Sequence, residues 1–479
     1  MTHTHDLTAL SLAEAVRAKD LSPVEITDHY LERIERVNPQ VGAYVTVTAE
    51  RARDEARRAE KAVLEAATPA ELPAFHGVPI PVKDLNMVNG VRVTLGSSVF
   101  SDLTGFADDN VVVLLREAGS VLLGKTATPE FGLPCYTESA VSPPARTPWD
   151  LSRSAGGSSG GAAAAVAAGL APIAQGSDGG GSIRIPSSVC GLFGIKPTRG
   201  RVSQGPVVPD LFGLSTNGPI ARSVRDAAAL LDVMARPFPG DLYAAPPAQG
   251  TFLSYADRAP GRLRIARTAA PAVPGAEVHP DCVAAYEEAG ALLEELGHEV
   301  VELPPVFGPE LVPVFEMLWG VMATMTPVDP DQEHRLQPLT QWLRERGRKT
   351  SAEQLFRAHA SLQAALRQAL PVMNGFDAIL SPTLAQPPAP VGHFHDQEPA
   401  ENFERQKVFT PFCAAYNISG QPAVNVPLHW TAPDENGQGL PIGVMLAGRL
   451  GGEGTLISLA AQLEEARPWI DRKPAIWAA

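Results

Sequence analysis

Apolar positions divide the chain into a helical first part and a longer part in which short apolar runs alternate with helices. In the first part, a capping box at Ser22 and Glu25 predicts the start of one helix. A similar pair, Ser11 and Glu14, predicts an earlier helix start. The charged, alanine-rich stretch 49–66 predicts an exposed helix. We therefore expect an N-terminal helical segment over about residues 1–70.

Beyond residue 75 the apolar runs are short and nearly continuous, as in strands buried on both faces. Strands are predicted at 78–82, 120–124, 171–175, 263–267, 299–303, 377–381, 423–427 and 441–447. Helices are predicted at about 109–118, 160–169, 223–235, 280–296, 351–369 and 453–465. The alternation predicts a sheet covered by helices on both faces. Since no clean linker separates two halves, we expect a single domain over residues 1–479.

Composition excludes several classes of protein. A net charge of −14 argues against a nucleic acid or an anionic membrane as the main partner. The four cysteines form no CxxC pair, so neither a disulfide framework nor a zinc site is expected, and we predict no metal. The N-terminal stretch MTHTHDLTAL lacks the pattern of a signal peptide, which favours a cytoplasmic protein.

Two motif matches do not carry the function that their letters suggest. GSVLLGKT at 119–126 fits a phosphate-binding loop, but its middle residues are typical of a strand, and Lys125 is expected to be structural. GSSGG at 157–161 fits the nucleophile elbow of an α/β-hydrolase, which would make Ser159 the nucleophile. The residues before it are polar and rich in turns, whereas that motif follows a strand.

Two glycine–serine stretches, GGSSGG at 156–161 and GSDGGGSIRIP at 176–186, stand one short helix apart. Consecutive glycines before a serine can turn their N–H groups towards an anion, as in an oxyanion hole. No histidine lies nearby, so a base must come from elsewhere. Lys83 ends an apolar run, where burial would lower its pKa. The structural alternatives are a salt bridge between Lys83 and Asp84 or a solvated strand end.

Five separated stretches together resemble the amidase signature family. They are GVPIPVKD at 77–84, GKTATPEFG at 124–132, PWDLSRSAGGSSGG at 148–161, GSDGGGSIRIPSSVCGLFGIKPT at 176–198 and GQPAVNVP at 420–427. The resemblance runs from about residue 7 to residue 475. It implies an α/β fold with a large mixed, mostly parallel central sheet covered by helices on both faces.

The resemblance also implies a Ser–cis-Ser–Lys triad. By motif, the nucleophile is Ser182, the bridging cis-serine is Ser158 and the base is Lys83. The oxyanion hole would be formed by the N–H groups of Gly179, Gly180, Gly181 and Ser182. Asp178 and Arg184 would support the geometry of this loop.

The implied activity is hydrolysis of the C–N bond of a small-molecule amide through an acyl-enzyme, without a cofactor. The amide is a carboxamide, an aryl amide, a lactam or a carbamate, and a homodimer is left open. The alternative is the A subunit of a glutamyl-tRNA amidotransferase assembly. RPFPGDLYAAPP at 236–247 and GLPIGVMLAG at 439–448 look closer to free-standing bacterial amidases, in particular to 6-aminohexanoate cyclic dimer hydrolase-like enzymes.

The substrate pocket is expected to be apolar, because LVPVFEMLWGVMATM at 311–325 is rich in aromatic residues and methionine. The residues predicted to contact substrate are Cys135, Trp319, Met322 and Phe412. The chain departs from many family members at two positions beside the site. Ala127 stands where many have Asn or Ser, and Gly179 where many have Thr, so better-known relatives do not fix the substrate.

Overall fold

A large sheet of eight strands and a small sheet of three organise the chain in the computed structural model, which describes residues 3–207, 212–433 and 437–479. The strands are β1 Tyr44–Val47, β2 Val82–Lys83, β3 Gly124–Thr126, β4 Ile173–Asp178, β5 Phe193–Lys196, β6 Thr216–Ala221, β7 Arg264–Arg267, β8 Glu299–Glu302, β9 Ala378–Pro382, β10 Ala423–Trp430 and β11 Pro441–Gly448. The α-helices are α1 Ala9–Ala18, α2 Pro23–Val41, α3 Ala49–Glu65, α4 Asn110–Glu117, α5 Gly160–Ala167, α6 Arg184–Cys190, α7 Val224–Met234, α8 Phe252–Ala256, α9 Pro280–Glu295, α10 Leu311–Ala323, α11 Pro338–Arg348, α12 Ala352–Met373, α13 Pro399–Phe409, α14 Ala414–Ser419 and α15 Glu453–Ala466.

The large sheet has the strand order β4-β6-β5-β10-β11-β9-β7-β8. Every residue of β4, β5, β6, β9 and β11 is buried. Since successive side chains of a strand point to opposite faces, both faces are covered. The predicted mixed α/β architecture with helices on both faces is thus confirmed.

The direction of the strands differs from the expectation of a mostly parallel sheet. Strand β7 pairs in parallel with β8 and β9, but the pairings that run from β4 to β9 are antiparallel. Burial on both faces makes a strand apolar whatever its direction, so apolar runs alone do not reveal the direction. The expectation of a mostly parallel sheet was therefore wrong.

The helix starts of the N-terminal segment follow one of the two predicted capping boxes. Ser22 Oγ accepts the Val24 N–H at 3.0 Å, and Glu25 accepts the Ser22 N–H at 3.2 Å, as predicted. Helix α1 instead begins at Ala9, after Thr8, whose hydroxyl accepts the Ser11 N–H. The box predicted at Ser11 was wrong, because the helix has already begun there.

The N-terminal helices are joined to the rest of the protein by a buried carboxylate. The N–H groups of Ala9 and Leu10 donate to Asp226 of α7 at 2.8 and 3.1 Å. This tie, between residues more than two hundred positions apart, supports the proposal that residues 1–479 form one domain. No helix in the described ranges is both long and apolar enough to cross a bilayer.

The small sheet brings Lys83 next to the end of β4. Strand β2 pairs in parallel with β3, and β3 is antiparallel to β1. The Lys83 N–H donates to the side-chain oxygen of Gln175 in β4 at 2.8 Å. This bond joins the two sheets at the point where the chemistry is expected.

One prediction concerns Glu464 of α15, whose carboxylate accepts the Val224 N–H at the start of α7. Burial, reinforced by Asp226, raises the pKa of Glu464 from 4.5 to about 7. The stability that this raised pKa contributes is complete below the unfolded pKa and is lost as the pH rises through about 7. The variant Glu464→Gln keeps the acceptor without the charge, so it should melt about 2 °C higher than wild type at pH 8.

Thermal unfolding at pH 5 and pH 8 measures this effect, and the gain should shrink at pH 5. Glu465→Gln, at the exposed neighbouring position, is the matched control. A Glu464→Gln protein that melts at or below the wild-type temperature at pH 8 would contradict the prediction.

Candidate active site

The Lys83 amine is fully buried and contacts two serines. Its Nζ lies 2.7 Å from Ser158 Oγ and 3.0 Å from Ser177 Oγ. A third acceptor, the Ser177 carbonyl, is 3.4 Å away. A lysine held by hydroxyl and carbonyl oxygens alone can keep these hydrogen bonds when it is neutral, because hydroxyl groups can also donate.

Burial lowers the pKa of Lys83 to about 7, although the Asp178 charge opposes this effect. None of the ion pairs within the described residues involves Lys83. The expected alternative, a salt bridge to Asp84, does not form because Asp84 pairs with Lys125 at 2.9 Å and also accepts two hydrogen bonds from Thr94. Lys125 thus has the structural role that its strand position predicted.

Ser158 lies in the turn before α5, and the peptide bond between Gly157 and Ser158 is cis. The turn passes very close to another loop. A Cβ atom at Gly157 would lie 2.8 Å from the backbone of Tyr136, so no larger residue fits there. The glycines of this stretch therefore allow the close approach that holds Ser158 against Lys83.

Ser182 lies in the loop between β4 and α6, next to the Ser158 turn. The two glycine–serine stretches are joined where the Ser159 N–H donates to the Ser182 carbonyl at 3.1 Å. Ser182 is buried to 6% exposure but borders an open cavity. The structure thus brings Lys83, Ser158 and Ser182 into adjoining segments.

Ser159 is held away from the cavity. Its hydroxyl donates to the Ser177 carbonyl at 3.0 Å and accepts the Ser177 N–H at 3.2 Å. Its side chain is fully buried and it does not line the cavity. These contacts give Ser159 a structural role and disfavour the nucleophile-elbow interpretation.

A buried network fixes the glycine loop after β4. Arg184 donates to both oxygens of Asp178, at 3.0 and 2.9 Å, and Asn417 donates to the same carboxylate at 2.9 Å. Burial alone would raise the pKa of Asp178, but the Arg184 guanidinium outweighs it and holds that pKa below its usual range. Asp178 is therefore a fixed anion around which the loop folds.

The same carboxylate takes one of the loop's own N–H groups. Gly181, at φ +130°, donates its N–H to Asp178 Oδ1 at 2.7 Å. Within the described residues, no hydrogen bond uses the N–H of Gly179, Gly180 or Ser182. Three of the four predicted donors are therefore unengaged, and the Gly181 N–H is not.

An open cavity lies beside Ser182 and Gly180. Its walls are mainly apolar and come from α10, α13, α14 and the loop that carries Cys135. Of the predicted substrate contacts, Cys135 and Trp319 line it. Met322 packs against two small apolar clusters and Phe412 belongs to the main core, and neither is among the residues that line the cavity.

Two side chains of α10, Phe315 and Trp319, lie against the glycine loop, and Trp319 is the one that also reaches Gly179. Its indole N–H donates to the Leu133 carbonyl at 3.2 Å, and its ring stacks on Phe315 at a centroid distance of 5.1 Å. Cβ positions built on Gly179 and Gly180 would lie 3.5 and 3.6 Å from the Trp319 ring. At these distances a Cβ atom at Gly179 or Gly180 would touch the indole in ordinary van der Waals contact.

Sequence reasoning missed Ser177, Asn417 and Gln406. Ser177 stands five residues before Ser182, and its contact with Lys83 has no signature in the sequence. Asn417 and Gln406, which reach the site from α14 and α13, are distant in sequence from Asp178 and Cys135, which they contact. No group of three or more His, Cys, Asp or Glu residues in the described parts of the chain is arranged to hold a metal ion.

Comparisons with known proteins show the family of the chain. The family model described as Amidase matches residues 25–457. A 6-aminohexanoate-cyclic-dimer hydrolase of Paenarthrobacter ureafaciens is 35% identical, over 98% of this chain and 96% of its own. An acylamidase of Rhodococcus erythropolis is 34% identical, with 98% of each chain covered.

A solved structure of 6-aminohexanoate cyclic dimer hydrolase superposes with a TM-score of 0.88 at 31% identity and covers 99% of this chain and 100% of that one. The family match spans most of the chain, and the relatives align over nearly all of it. The chain therefore belongs to the amidase signature family and is a hydrolase that acts on the C–N bonds of amides.

Proposed function

We propose that the protein hydrolyses small amides through an acyl-enzyme on Ser182, with Ser158 as the relay and Lys83 as the base. The observation that carries this proposal is the 2.7 Å contact between the buried Lys83 amine and Ser158 Oγ. An amine that burial leaves neutral near pH 7 can accept a proton at the pH at which the enzyme works.

The proposed reaction begins with neutral Lys83. Lys83 takes the hydroxyl proton of Ser158, Ser158 takes that of Ser182, and Ser182 Oγ attacks the amide carbonyl carbon. The proton returns along the same relay to the nitrogen of the leaving amine as the C–N bond breaks. Water then attacks the acyl-enzyme by the same relay and releases the acid and free Ser182.

The oxyanion of the tetrahedral intermediate would be bound by the unengaged N–H groups of Gly179, Gly180 and Ser182. We assign Gly181 a different role from the one that the sequence suggested, because its N–H already donates to Asp178. Gly181 shapes the loop, and the other three groups remain for the substrate. Removing one donor from such a site typically costs about 3–4 kcal/mol of transition-state stabilisation.

The cavity supports a small amide with an apolar part as the substrate. Cys135 and Trp319 line it together with Ser182, and its walls are mainly apolar. The names of the two relatives, a hydrolase of a cyclic amide dimer and an acylamidase, agree with this substrate class. We propose that carboxamides, aryl amides, lactams and carbamates are the compounds to screen.

The first prediction tests the nucleophile. Ser182→Ala should lower kcat/KM for any cleaved amide by about four orders of magnitude, because the acyl-enzyme cannot form. Ser159→Ala is the matched control, since the adjacent Ser159 hydroxyl bonds the backbone of Ser177, and it should keep most of the activity. Steady-state hydrolysis rates of the two folded variants test the assignment of Ser182 as the nucleophile. More than about a hundredth of wild-type activity in Ser182→Ala would refute it.

The second prediction concerns pH. Since only neutral Lys83 accepts a proton, kcat/KM should fall as the pH drops through about 7, along a limb whose pKa belongs to the coupled Lys–Ser unit. Lys83→Ala should lose the activity, and Lys83→Arg should not restore it because guanidinium stays protonated. An active Arg variant would place the base elsewhere. His76, whose ring bonds the Ala59 carbonyl, would then be tested.

A third prediction separates a free-standing amidase from a subunit of a tRNA-dependent assembly. The purified chain alone should hydrolyse small amides, and EDTA or the omission of ATP and tRNA should change the rate by less than about twofold. A rate that depends on a partner subunit with ATP and tRNA would favour the amidotransferase instead.

A further inference from the structure

An ion pair lies in the wall of the cavity near its apolar surface. Lys407 of α13 and Glu316 of α10 both line the cavity, with 2.5 Å between Nζ and Oε1. Their side chains are only 16% and 17% exposed. The pair therefore joins two walls of the cavity, at a place where a bound substrate can meet it.

Each member of this pair has a second partner outside the cavity. Lys407 also contacts Glu404 at 2.6 Å, and Glu316 contacts Arg346 at 3.6 Å. Two carboxylates thus face two cations, and the group is neutral as a whole. No other charged side chain lines the described part of the cavity.

The surroundings make these charges costly to keep. Aromatic rings of Phe315, Trp319 and Phe403 line the same cavity, and Lys407 Nζ lies 5.8 Å from the Phe403 ring. Partly buried ion pairs are often no more stabilising than apolar side chains of the same size. A role in recognition accounts for a charged pair in such a wall better than stability does.

We propose that the balance of charge between Glu316 and Lys407 determines specificity, so that the cavity accepts amides without ionised groups. This inference rests on the proposed function, in which Ser182 attacks an amide bound in this cavity. A substrate carboxylate that enters would meet Glu316, and an ammonium group would meet Lys407. Because each fixed charge is already paired, an incoming ion would lose its hydration without gaining a free partner.

Removing one charge should therefore change which substrates are accepted. Glu316→Gln leaves Lys407 with one carboxylate instead of two and takes the ion-pair partner from Arg346, so this group of charges gains one net positive charge. Lys407→Gln leaves Glu316 with Arg346 and takes the ion-pair partner from Glu404, so the same group gains one net negative charge. The double variant is neutral again.

The experiment uses three p-nitroanilides whose acyl chains have equal length and end in a methyl, a carboxylate or an ammonium group. A second series carries the same groups on the amine half, because the half of the amide that faces the pair is not fixed. Wild type should prefer the methyl compound by about tenfold in kcat/KM over both charged ones.

In one of the two series, Glu316→Gln should raise the ratio of kcat/KM for the carboxylate compound to kcat/KM for the methyl compound about tenfold. Lys407→Gln should raise the corresponding ratio for the ammonium compound by as much. The double variant should return both ratios close to wild type, which a merely structural role would not produce. Glu401→Gln is the matched control. It lies on α13 and pairs with Arg405 away from the cavity, so it should change no ratio by more than about twofold.

Ratios that stay within about twofold of wild type in both single variants and both series would overturn the inference. Binding of the same compounds to Ser182→Ala, with and without Glu316→Gln, can be measured by calorimetry. This measurement distinguishes a failure of the inference from a failure of the proposed function. If wild type cleaves none of them, the proposed function fails. Binding that follows the charge pattern would still support the inference, and the absence of binding or of that pattern would overturn it.

Discussion

The proposed active site depends on a lysine amine that is buried with no carboxylate of the described residues in contact. Lys125, equally buried, pairs with Asp84, whereas the Lys83 amine finds only serine oxygens, of Ser158 and Ser177, as hydrogen-bond partners in the described part of the chain. Desolvation without a contacting counter-ion makes the neutral amine accessible near pH 7. If Lys83 had an ion-pair partner, its pKa would rise, and the proposed relay would lose its acceptor.

The charges near the site are arranged so that the neutral form of the Lys83 amine remains accessible near pH 7. Asp178, the carboxylate that acts on the amine, is held by Arg184 and Asn417, so its charge is largely compensated. The same carboxylate fixes the glycine loop through Gly181 and leaves the neighbouring N–H groups free. A single buried anion thus shapes the proposed oxyanion hole without acting as a partner of the base.

The sequence predicted the motifs more completely than the residues that line the cavity. The glycine–serine stretches and the apolar run before Lys83 are local signals, and most predicted strands and helices lie close to observed ones. Strands β5 and β6 were missed because FGIK and TNGPIA contain glycine and proline in short runs. Strand direction was inferred wrongly, because apolar runs record burial and not direction.

The relay role of Ser158 came from the family resemblance, since spacing alone does not select it over Ser159. Local sequence also gave no reason to separate Trp319, which lines the cavity, from Met322, which does not. That distinction depends on where α10 meets the glycine loop. Asn417, which contacts Asp178, and Gln406, which contacts Cys135, come from helices far along the chain. Only the folded chain therefore reveals these contacts.

The most direct test of the account is an NMR titration of lysines labelled with ¹³C at Cε, in wild type and in Lys83→Met. Comparison of the two spectra assigns Lys83, which matters because burial also lowers the pKa of Lys196 to about 7. The account predicts that the resonance missing from the variant titrates near pH 7. A Lys83 amine that stays protonated beyond about pH 9, as an ordinary lysine does, would contradict it.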